Sequence, residues 1–96
     1  MDKNIGPEFR VSKNTDINSL SSAIFTNMKN IEKLELKCIG AGALNQAIKS
    51  IATARGMSNS CGFDLVVRPN FEEVTIQGEE KTALSLVVIK VLCGTI

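Results

Sequence analysis

The chain predicts a two-layer α/β domain of element order β-α-β-α-β-β: a four-stranded mixed sheet with two helices on one face. Three observations lead there. Apolar residues recur at every second position in Phe9 and Val11, in Leu34, Leu36 and Cys38, in Phe63, Leu65 and Val67, and in Leu84, Leu86 and Val88, which is the period of a strand. Between the first three of these runs, apolar residues fall at helical spacing: Ile17, Leu20, Ile24, Met28 and Ile31, then Leu44, Ala47, Ile48, Ile51 and Ala52. No helical pattern separates the last two strands, so they form a hairpin. Helices that alternate with strands build βαβ units and share one sheet face.

In chain order, Met1 to Pro7 reads as a polar, mobile lead-in to a single domain spanning residues 1–96. Phe9 and Val11 mark a short first strand. Ser12-Lys13-Asn14-Thr15 is a turn, and Thr15 or Asp16 caps the helix that follows as far as Asn30. The second strand leads into Gly40-Ala41-Gly42 and a helix of about three turns. Arg55 suits the last turn of that helix, and Gly56 suits the left-handed residue just past it. Its apolar face places Leu44, Ile48 and Ile51 in the core against Leu36, Leu84 and Leu86. Met57 to Gly62 reads as a polar loop. Pro69-Asn70 interrupts the third strand, which places it at a sheet edge or bulge; Val74 and Ile76 resume it. Glu79-Glu80-Lys81 is the expected hairpin tip. The last strand, Thr82 to about Leu92, is apolar on both faces.

That double-sided strand has two readings. Two helices cover only one sheet face, and Val66, Val87 and Ile89 fall on the other. Either the strand lies at the sheet centre with an outer face that is merely apolar, or these residues line a homodimer interface, since contiguous apolar patches mark partner sites.

Composition narrows the chemistry. Eleven basic and ten acidic residues leave a net charge of +1, so no strongly basic surface exists and any nucleic-acid contact is local. Histidine is absent, which removes Ser-His and Cys-His catalytic pairs. Glu72-Glu73 and Glu79-Glu80 read as solvated hairpin charges, so no catalytic residue is assigned and the chain is not expected to be an enzyme. Cys38, Cys61 and Cys93 show no metal-ligand spacing; they read as thiols of a reducing, cytoplasmic compartment, and no metal or cofactor is expected. No signal peptide is visible, and Leu84 to Leu92 is too short and too polar to span a membrane as a helix. Lys49 and Arg55 read as solvated helix charges.

The glycine turn also has two readings. It is a steric device that lets the chain turn and the helix approach the sheet, or an anion site built from free N–H groups at a helix N-terminus. The dinucleotide fingerprint requires a third glycine and a later acidic residue, and this turn lacks that third glycine.

The block Ile39-Gly40-Ala41-Gly42-Ala43-Leu44-Asn45-Gln46-Ala47, followed by Ala54-Arg55-Gly56, resembles the signature of the stage V sporulation protein S family. Val11-Ser12 and Gly78-Glu79-Glu80-Lys81-Thr82-Ala83 fit in order, so the resemblance runs from Glu8 to Ile89. The family is similar in fold to Alba proteins, small binders of DNA and RNA. That likeness implies a last strand inside the sheet, dimerisation, and a role in sporulation or developmental control. It also implies three phosphate-contacting regions at one end of the fold: the turn with Lys13 and Asn14, the loop and helix start with Gly40, Ala41, Gly42, Asn45 and Gln46, and the hairpin with Arg68 and Lys81. Gly40, Gly42 and Gln46 stand where archaeal Alba proteins tend to carry basic residues, and the hairpin carries four glutamates. The expected activity is therefore weak, phosphate-mediated binding of DNA or RNA in the cytoplasm or nucleoid; the alternative is a dimeric protein–protein adaptor without nucleic-acid activity.

Overall fold

The computed structural model describes residues 6–92. The expectations for Met1 to Ile5 and for Cys93 lie outside these residues. The elements are β1 (Glu8–Val11), α1 (Ile17–Met28), β2 (Lys33–Cys38), α2 (Ala41–Ser60), β3 (Phe63–Ile76) and β4 (Glu79–Leu92). They form one four-stranded sheet in the order β1-β2-β4-β3. β1 and β2 run parallel; β4 is antiparallel to both of its neighbours. The last strand in sequence is thus inserted inside the sheet, and its apolar faces follow from that position.

The core lies between the sheet and the helices. Leu34, Leu36 and Cys38 of β2 and Leu86 and Val88 of β4 meet Leu20, Ile24 and Met28 of α1 and Ala43, Ala47, Ile51 and Ala54 of α2. Asp16 caps α1: its carboxylate accepts a hydrogen bond from the Ser19 N–H at 2.8 Å. That bond holds the Asp16 carboxyl below its ordinary range. Cys38 is buried and Cys61 exposed, and both are free thiols.

α2 differs from its expected form in length and in phase. It has 20 residues and runs through Gly56 to Ser60. The left-handed residue comes six positions later, at Gly62 (φ +95°), where the chain leaves the helix. Its inner face is Ala43, Ala47, Ser50, Ile51, Ala54 and Ser58. Ile48, expected in the core, is 46% exposed, and Ala52 is exposed too. The reason is close packing against α1. The Ser21 hydroxyl lies 2.6 Å from the Ile17 carbonyl oxygen and 3.1 Å from that of Ser50 on the other helix. Five of the six buried residues of α2 are alanine or serine, with Ile51 the one large side chain among them, so the helix packs close and Ile48 turns outward.

β3 does not break at Pro69-Asn70. It continues as one strand along the sheet edge, where a missing N–H is tolerated. The hairpin tip is Gln77-Gly78, with φ of 52° and 80°. A two-residue turn with both central φ values positive matches the right-handed twist of a hairpin. Glu79-Glu80-Lys81 accordingly belongs to β4. β2 pairs with β4 only from Leu84 to Ile89. Beyond it, among the described residues, the stretch from Glu72 to Ala83 pairs only with itself and projects as a two-stranded arm.

The sheet face away from the helices is roofed by the chain's own charged side chains. Lys37 of β2 reaches Glu72 of β3 at 2.7 Å, across the intervening β4. Beneath this pair Ala83 and Ser85 are buried, and the Ser85 hydroxyl donates to the Glu35 carboxylate. Val87 sits between Glu35 and Arg68 in the ladder and is only 2% exposed. Long charged side chains cover apolar surface with their stems. Val87 therefore offers no free surface for a dimer contact, and Val66 and Ile89 are half-buried.

Candidate nucleic-acid interface

Three segments converge at one end of the sheet: the turn after β1, the turn into α2, and the arm. They enclose a groove of about 550 Å³. Arg10, Val11, Ser12 and Lys13 line it from β1 and its turn; Lys37, Ile39, Gly40, Gly42 and Ala43 from β2 and the start of α2; Val74, Thr75, Ile76 and Ala83 from the arm.

Local sequence explains the convergence. Ser12 to Thr15 forms a tight turn, in which the Ser12 N–H donates to the Thr15 hydroxyl at 2.8 Å and the Asn14 N–H to the Ser12 hydroxyl at 3.1 Å. Gln46 then donates to the Thr15 carbonyl oxygen at 2.9 Å, tying this turn to α2. Gly42 permits the approach: a Cβ there would fall 2.8 Å from Lys13 Cβ, closer than real contacts allow. So the stem of Lys13 lies against the first turn of α2, whose N–H groups have no intrahelical acceptor. Gly40, the N-cap residue, supplies no side-chain cap. Gly42 thus serves the steric reading of the glycine turn, and the same turn leaves the first N–H groups of α2 without intrahelical acceptors.

The three basic side chains of the groove are not equivalent. Lys37 is held by Glu72 at 2.7 Å and lies 3.9 Å from Glu8. The hydrogen bond to Glu72 raises its pKa, so it stays charged but is already neutralised. Arg10 has only a loose contact, 3.9 Å, to Glu8. Lys13 forms no ion pair among the described residues, and it is the lysine beside the helix start.

Of the residues expected to meet phosphate, Lys13, Gly40 and Gly42 line the groove. Ala41, Asn14 and Asn45 are exposed, and Gln46 is engaged with Thr15. Arg68 stands opposite Val87 in mid-strand, outside the groove. Lys81, in the arm opposite Val74, does not line it and lies 3.5 Å from Glu79. Sequence reasoning passed over Arg10, Lys37 and the apolar arm residues. Arg10 and Lys37 are register partners on β1 and β2, just before the two turns, and that placement was the available signal. Among the described residues no group of three or more His, Cys, Asp or Glu side chains is arranged to hold a metal, and no helix is long and apolar enough to cross a membrane.

The structure is similar to that of Alba from Thermoplasma volcanium, with a TM-score of 0.60 over 86% of this chain and 96% of that one at 15% identity. This likeness establishes the Alba-like fold. The family model of Stage V sporulation protein S matches residues 7–91, from ahead of β1 to within β4 and through both turns of the groove. The chain therefore belongs to the stage V sporulation protein S family.

Proposed function

We propose that this protein is a small cytoplasmic or nucleoid-associated regulatory protein that binds DNA or RNA weakly through phosphate contacts, without catalysis. The observation that carries this reading is the position of Lys13. A lysine with no ion pair among the described residues rests against a helix start whose first N–H groups lack intrahelical acceptors, and fixed donors and positive charge together favour phosphate. Binding is weak because Lys37 is spent on Glu72 and the net charge is only +1. Anisotropy titrations with short RNA and DNA at two salt concentrations test this. Log affinity should fall with log salt at a shallow slope, about one unit for each phosphate contacted. Lys13→Glu should weaken binding to all sequences alike, because phosphate contacts carry no base information. Binding that ignores salt and Lys13→Glu would sink this reading.

The adaptor reading rests on a different observation. Phe71 on the edge strand is 83% exposed, and Ile48 on α2 is 46% exposed. Phe71 shares a ladder row with Leu84 and Cys38, so it faces the helix side of the sheet, as α2 does. We place the homodimer contact on this flank rather than at Val66, Val87 and Ile89. Light scattering tests it: Phe71→Asp should convert a dimer to a monomer, whereas a wild-type chain already monomeric at high concentration removes the interface.

A further inference from the structure

The groove is built for more than phosphate. Six of its lining residues are aliphatic: Val11, Ile39, Ala43, Val74, Ile76 and Ala83. Ile39 and Ile76 remain 42% and 36% exposed, two of the few large apolar side chains the described fold leaves in water. Every charged side chain lining the groove is basic, although the chain carries almost as many acids as bases. An apolar surface that large adds nothing to the grip on a hydrated phosphate. It fits a ligand with an anionic group on a flat, poorly hydrated body.

We propose that the groove takes one unpaired nucleotide of a single strand. Its base lies among Ile39, Val74 and Ile76, and its phosphate meets Lys13 and the first turn of α2. This rests on the nucleic-acid reading above and names the form of nucleic acid preferred. Size agrees, since small-molecule sites run from roughly 300 to 1,000 Å³ and the groove holds about 550 Å³. A duplex presents phosphates and sugars on its outside and keeps its base faces stacked. An unpaired base has two free faces to bury, which is why sequence-tolerant single-strand binders supply flat apolar platforms beside basic grooves. The groove has no aromatic side chain, so the base packs on aliphatic groups and the preference is modest.

The experiment measures a short oligoadenylate against a duplex of equal length at low salt, with wild type, Ile39→Ala and Ile76→Ala. Both isoleucines are partly exposed, so both variants should fold, and circular dichroism verifies it. The single strand should bind tighter than the duplex. Either variant should cost it about fivefold, in line with losing a partly buried aliphatic group, and leave the duplex unchanged. Adenosine monophosphate should displace the oligomer at concentrations where inorganic phosphate does not. Equal binding of both forms, unmoved by either variant, overturns this proposal and leaves the phosphate reading standing. No binding of either form overturns both. Displacement by dodecanoate but not by the nucleotide overturns it in favour of an anionic lipid.

Discussion

Ile48 and Leu36 separate two kinds of apolar residue that look alike in sequence. Leu36 is fully buried between the sheet and both helices, and Leu36→Ala should cost about 2–5 kcal/mol in urea unfolding. Ile48→Ala should stay within about 0.5 kcal/mol, because most of what it removes is already in water. The β2 face was legible, since strand alternation admits only two phases and Leu34, Leu36 and Cys38 chose one. The α2 face was not, because the gap beside α1 selects for small side chains, and hydrophobicity is a poor guide to size. Arg55, expected as a solvated charge, is more than half exposed but is also paired, which its sequence position did not signal. It grips Asp64 with two hydrogen bonds, 2.6 and 3.0 Å, while Asn59 and the Leu65 N–H bond the same carboxylate. Arg55 first, then Asn59 and Leu65, hold the Asp64 carboxyl well below its ordinary range. A depressed pKa contributes stability that is present above the unfolded value, about 3.9, and lost as pH falls below it. Asp64→Asn should therefore melt lower than wild type at pH 7, and the gap should narrow progressively as pH falls below about 4, through the lower folded-state value. A gap that does not narrow at all between about pH 4 and about pH 2 would mean the contribution is packing rather than charge.

Among the elements, α2 carries a weakness that its sequence signalled in the wrong place. Gly56 resembles a helix stop but sits in mid-helix, with no heavy atom within 4 Å of where a Cβ would stand. Glycine costs an exposed helix interior about 1 kcal/mol relative to alanine. Gly56→Ala should raise stability by about that amount, seen as a higher urea midpoint at unchanged slope. Gly62 holds the real stop because the helix continues until Asn59 and Asp64 engage across the turn; a pairing between a helix and a following strand leaves no local signature. The hairpin shows the same limit. Gln77-Gly78 is a usable turn dipeptide, but three charged residues beside it made a louder polar signal.

In the whole molecule, the order of elements and the inserted last strand were legible, because periodicity and a doubly apolar strand are local properties. The groove was legible only in part. Lys13 and the glycine turn stand out in sequence, whereas Arg10, Lys37, Val74 and Ile76 become neighbours only through the β1–β2 register and the reach of the arm. The burial of Val87 on the expected dimer face was hidden for a comparable reason. Lys37 and Glu72 are 35 residues apart in the chain, and their pairing over β4 roofs a surface that alternation alone left bare.

The self-paired arm carries one more consequence. Two strands without a third neighbour are marginally stable in water, so the molecule should open by stages. Backbone amides of Glu79 to Thr82 should exchange with deuterated solvent well before those of Leu86 to Val88, which are bracketed by β2 and β3, and Glu72→Gln should widen the difference by loosening the base of the arm. One jaw of the groove is thus the part of the domain cheapest to unfold, while the other is set in the core. An occupant would then appear as slowed exchange along Val74 to Ile76, with little change at Leu36.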